Sequence, residues 1–116
     1  MDDDFSIESD ISERRANGAT QWLFDNRNAI GKAKAERDKS EHMLRVTKNL
    51  IIAASELKTV SEREAEAYAH PKYQQAIDTL FAATAAHETL RATQTAATSL
   101  IDMWRSKNSA LKAARI

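Results

Sequence analysis

The sequence has no cysteine, one proline and two glycines in 116 residues. Without cysteine there is no disulfide framework, no thiolate metal site and no thiol nucleophile, and a reducing compartment is compatible with the chain. A shortage of the two strongest helix breakers, in a chain that is 42% hydrophobic, predicts an all-α fold with no sheet. No apolar run approaches the roughly 18 residues that a membrane span needs. The opening MDDDFSIESD is acidic where a signal peptide is basic and then apolar. A soluble intracellular protein with no membrane association is therefore expected.

The signatures of catalysis are missing too. There is no Gly-rich phosphate loop, no HExxH and no GxSxG. His42, His70 and His87 are lone histidines, with no set of histidines and acids at helical spacing that could form a site, so no metal site is expected. Glu62, Glu64 and Glu66 are close in sequence, yet neighbours two apart on a helix point to different faces, and they read as a solvated turn favoured by the helix dipole. The expectation is a protein that is not an enzyme, with no catalytic residue and no cofactor.

The charges that are present are unevenly distributed. Lys and Arg number 17 and so do Asp and Glu, but Asp2, Asp3, Asp4, Glu8, Asp10 and Glu13 open the chain with no base among them. Removing those six acids leaves 11 acids against 17 bases, a surplus of six positive charges in the remainder. Residues 1–10 are too polar to bury the surface that would offset their ordering entropy, which predicts an acidic disordered leader. Such a leader either keeps the chain soluble, competes with a polyanion for the basic body, or recruits a basic partner.

Residues 11–116 read as a single helical domain. The expected elements are a short helix to about residue 17, a long helix over about 19–57, a short helix over 61–69 and a long helix over 71–113. Gly18 and Gly31 each cost roughly 1 kcal/mol in a helix interior, and Gly18 marks the first boundary. A seven-residue spacing joins Leu23, Ile30, Arg37, Leu44 and Ile51, with a companion series Ala19, Asn26, Ala33, Ser40, Thr47 and Ala54, a coiled-coil seam with polar steps. Ser61 followed by Glu64 is a capping-box pattern for the short helix, and Pro71 suits the first position of the last one. That last helix repeats Tyr73, Leu80, His87, Gln94, Ile101, Asn108 and Ala76, Ala83, Leu90, Ala97, Trp104, Leu111. Matched lengths predict a long antiparallel helical hairpin with the short helix at the bend.

A hairpin buries little core per residue, and Ile52, Leu57, Tyr68, Phe81 and Leu100 are left in need of a cover. Homo-oligomerisation into a helical ring or bundle is expected, with Leu44, Ile51, Ile52, Phe81, Leu90, Ile101 and Trp104 as candidate contacts. Trp104 falls in the seam series and so is read as a packing residue, not a base-stacking one.

Anion binding is the remaining chemistry. Wound at 100° per residue, Lys34, Arg37, Arg45 and Lys48 fall within about 80° of one another, with Glu41 in their midst. The strip is either an ordinary solvated face or a track for a phosphate backbone. Arg105, Lys107 and Lys112 near the end either complement the helix dipole or extend the basic surface. Aromatics make up only 6% of the chain, which favours backbone binding over an aromatic platform.

The order WLFDNRNAIGKAKAERDKSEHMLRVTKN, then SEREAEAYA, then HPKYQQAIDTLFAATAAHETLRATQTAATSLIDMWRS resembles the phage recombination mediators of the UvsY type. The likeness covers about residues 19–107. It implies a small helical protein that assembles into a ring, binds single-stranded DNA and helps a RecA-like recombinase displace a single-strand-binding protein. It also implies a phage protein in the bacterial host cytoplasm, or a bacterial one. Basic residues late in the long helix bind DNA in that family, and the nearest positions here are Lys39, Arg45 and Lys48. The contrasting expectation is an oligomeric helical protein–protein interaction module, an adaptor or inhibitor, that never touches nucleic acid.

Overall fold

The computed structural model describes residues 5–6 and 11–115. Among them the chain forms three α-helices and no strand: α1, Glu13–Ala54; α2, Val60–Ala69; and α3, Pro71–Ala114. This is the expected all-α arrangement, a long helical hairpin with a short helix at its bend.

The first helix corrects the expected break at Gly18. Neither glycine has a positive φ, and α1 runs unbroken through both. Ala16, Ala19 and Trp22 are buried on either side of Gly18, so burial of that face outweighs the roughly 1 kcal/mol that the glycine costs. At its other end α1 stops at Ala54, three residues short of the expected Leu57. No glycine or proline stops it. The Ser55 hydroxyl accepts from the Leu57 N–H at 3.2 Å and donates to the Glu66 carboxylate, while Arg63 Nε donates to the Leu57 carbonyl at 2.6 Å. These side-chain bonds offer the backbone an alternative to another helical turn.

The cap of α2 lies two residues earlier than the pattern Ser61 to Glu64 suggests. TVSERE contains two overlapping hydroxyl-x-x-Glu registers. The first is used: Thr59 is extended (φ −102°, ψ 154°), and its Oγ1 accepts from the Glu62 N–H at 3.1 Å. At the other end His70 serves two helices. It is extended (φ −71°, ψ 135°), as the residue before a proline prefers, and its N–H donates to the Ala67 carbonyl to close α2. Its Nδ1 accepts from the Lys72 N–H at 3.1 Å, and its carbonyl accepts from Tyr73 and Gln74 to open α3. Pro71 takes the first helical position, where a missing N–H costs nothing.

Two compact units divide the chain, and α1 and α3 contribute a segment to each. In the unit built from residues up to Ile30 and from Glu88 onward, Phe5, Ala19, Trp22, Ala97 and Leu100 are buried together. Ile11, Leu23, Ile30, Leu90, Ala96 and Ile101 pack against them. Phe5 meets Trp22 edge-on, ring centroids 6.1 Å apart at 70°, and Arg15 Nη2 donates to the Ser6 carbonyl at 3.1 Å. These two residues of the expected disordered leader are thus docked; its residues 1–4 and 7–10 lie outside the described ones. Leu100, expected to need a cover, is fully buried inside this core.

The other unit, Gly31–His87, holds the rest of α1, all of α2 and the start of α3. Its seam carries more polar groups: Ser40 is buried with its hydroxyl on the Glu36 carbonyl at 2.8 Å, and His87 is buried as well.

Two substitutions test these sources of stability. A Cβ added at Gly31 would meet nothing within 4 Å, so Gly31→Ala should stabilise the fold by about 0.5–1 kcal/mol and raise the thermal midpoint by a few degrees in circular dichroism. Leu100→Ala should lower stability by about 2–5 kcal/mol in the same measurement, because the cavity opens in the centre of a thin core.

Candidate nucleic-acid interface

The basic strip of α1 lies within residues 31–87. Lys34 and Arg45 are exposed, whereas Arg37 and Lys48 are half-buried. Arg37 is turned into the seam: its Nη1 lies 3.3 Å from His87 Nδ1, and its Nη2 pairs with Asp38 at 3.1 Å. A guanidinium held on two sides is less available to a phosphate than its position on a helical wheel suggests. Lys48 Nζ donates to the Tyr68 hydroxyl at 2.9 Å and sits 4.7 Å from that ring's centroid. Tyr68 in turn meets Tyr73 edge-on at 5.3 Å. The Tyr68 hydroxyl raises the Lys48 ammonium above its ordinary pKa, with smaller electrostatic help from Glu64 and Tyr73.

Lys39 goes elsewhere. It lies on the flank of α1 that also presents Met43 and Thr47, where it lines a groove of about 470 Å³ together with Lys72 of α3. Helical winding puts Lys34, Arg45 and Lys48 on one flank of α1, with Lys34 about 16 Å along the axis from Arg45, and Lys39 on another. Arg105, Lys107 and Lys112 belong to the unit that contains Trp22 and Leu100. All three are exposed, and Lys107 Nζ donates to the Ile11 carbonyl at 3.0 Å, tying α3 to the segment that precedes α1. Lys112 stands in the last turn of α3, the position that the helix dipole favours for a cation.

The candidate oligomer contacts divide by exposure. Leu90 and Ile101 pack against the chain's own core, and Leu44, Ile51, Ile52 and Trp104 are half-buried. Phe81 is 67% exposed. Sequence reasoning placed both Arg37 and His87 in seam series without pairing them; the pairing follows only once the bend fixes which residues of α1 and α3 face each other. The Lys48–Tyr68 contact left no signal at all, because it depends on where α2 folds back.

Among the described residues, no helix is long and apolar enough to cross a membrane, and no three histidines, aspartates or glutamates gather where they could hold a metal ion. Comparison with protein families, with curated proteins and with solved structures found no match.

Replacing Tyr68 with Phe removes the hydroxyl but keeps the ring. Lys48 should then titrate at lower pH than in the parent protein, moving toward the ordinary lysine value of 10.5, as followed by NMR of its side-chain nitrogen. An unchanged titration would show that the hydroxyl does not hold the ammonium.

Proposed function

We propose that this protein is a non-enzymatic, self-associating, single-stranded DNA-binding recombination mediator that helps load a RecA-like recombinase. The resemblance in helix order and in the segments around His70 and Trp104 motivates the specific role. The observation that carries the binding chemistry is the shared flank of Lys34, Arg45 and Lys48 on α1. Cations spaced along a helix meet phosphates of a flexible strand, release its counterions, and read no sequence. Arg37 supplies background potential instead of a direct contact, since it is paired with the Asp38 carboxylate beside His87, whereas Lys48 donates to a neutral hydroxyl and has two further N–H donors for a phosphate.

A second reading is an oligomeric helical interaction module without nucleic-acid binding. It is favoured by large apolar side chains left in solvent, Leu50 at 65% and Phe81 at 67% exposed.

Binding of a labelled single-stranded oligonucleotide, measured from low to high salt, separates the two. The mediator reading expects affinity that falls steeply with salt. Removal of Lys34, Arg45 and Lys48 together should flatten the log–log slope by about 2, at roughly 0.7 for each phosphate no longer neutralised. Absence of salt-sensitive binding, with the parent chain and with Asp2, Asp3, Asp4, Glu8 and Asp10 replaced by Asn and Gln, sinks the mediator reading and leaves the interaction module.

A further inference from the structure

We infer that a second copy of this chain docks on the groove flank of residues 31–87, along Met43 and Leu50, and leaves the Lys34–Arg45–Lys48 flank open. The inference rests on the self-association proposed above and adds the surface that performs it.

Two adjoining hollows, of about 470 and 320 Å³, share Thr47 and Lys72 and so form one groove beside the α1–α3 seam. Met43 and Leu50 line it, one heptad apart on α1, 45% and 65% exposed. Ala54 from α1 and Ala76 and Thr79 from α3 are the small residues of its walls. Large exposed side chains at a seven-residue interval, next to hollows walled by small ones, are the knobs and holes of a further helix contact. Knob and hole lie on the same surface, which is what a two-fold pairing of identical faces requires.

Charge selects the same flank. The groove is lined by Glu36 and Glu66 and by Lys39 and Lys72, a balanced set, so two such faces approach without net repulsion. On the opposite flank Lys34, Arg37, Arg45 and Lys48 face Asp38, Glu41 and, beside Lys48, Glu64 of α2, which leaves a net positive charge that disfavours the pairing of two copies there.

The test is the mass in solution without DNA, by light scattering at micromolar concentration. The parent chain should weigh at least twice 13.0 kDa, and Met43→Glu with Leu50→Glu should reduce it to 13.0 kDa with helicity retained in circular dichroism. Phe81→Glu, two residues on from Thr79 and so on the other flank of α3, should leave the mass unchanged. Because the chain has no cysteine, a second measurement is independent of the effect of buried charge: Leu50→Cys should cross-link into dimers with a short bis-maleimide and Phe81→Cys should not. A monomeric parent removes self-association altogether. An oligomeric parent whose mass survives the double variant, or that dissociates with Phe81→Glu or cross-links through Phe81→Cys instead, overturns this surface while leaving self-association in place. The nucleic-acid reading stands or falls separately, on the salt dependence of oligonucleotide binding.

Discussion

Two helices can enclose only a line of side chains between them, and every other feature of this protein follows from that limit. A helix buries one stripe against one neighbour, so the interior here is a narrow seam, with Leu100 as the largest fully buried side chain among the described residues. The chain widens the seam where it can. Phe5 is brought in from outside the helices to lie on Trp22, and alanines at 19 and 97 let the backbones come close around it. Elsewhere large apolar residues such as Phe24 and Phe81 are exposed, because no further layer among the described residues covers them.

The thin seam also tolerates polar residues that a thicker core would reject. Arg37 reaches His87 from the seam and pairs with Asp38 at the edge, and Ser40 satisfies its hydroxyl on the helix's own Glu36 carbonyl. No buried side-chain nitrogen or oxygen among the described residues is left without a partner. Polar steps of this kind add little net stability, since each replaces a hydrogen bond with water, but they penalise a slipped register in which the same groups would be buried unpaired. For two long helices with repetitive, Ala-rich faces, register is the property hardest to fix by apolar contact alone.

The fold was legible in the sequence because heptad spacing is a direct record of which residues face a neighbour. The series through Leu23, Ile30, Leu44 and Ile51, and through Leu80, Leu90 and Ala97, name buried or half-buried positions. Departures came where local rules compete. Gly18 looked like a boundary because propensity is local and the burial that overrides it is not. The cap of α2 had two overlapping registers, and nothing in TVSERE alone ranks Thr59 above Ser61. Phe5 was hidden by its acidic surroundings, which set the average of the leader but not the fate of one ring. The basic strip was half legible: helical winding gave the flank shared by Lys34, Arg45 and Lys48, while the engagement of Arg37 and Lys48 by His87 and Tyr68 depends on contacts between distant segments.

The bend has a mechanical asymmetry that the double role of His70 creates. Between α1 and α2 five residues, 55–59, lie outside any helix; between α2 and α3 there is one. A hinge needs backbone that can change its dihedral angles without breaking hydrogen bonds, and at His70 such a change would uncap two helices at once. The 55–59 joint is held instead by side chains, Ser55 on Glu66 and Arg63 on the Leu57 carbonyl, so a substitution there can loosen it without uncapping α3, whereas the joint at His70 cannot be loosened that way.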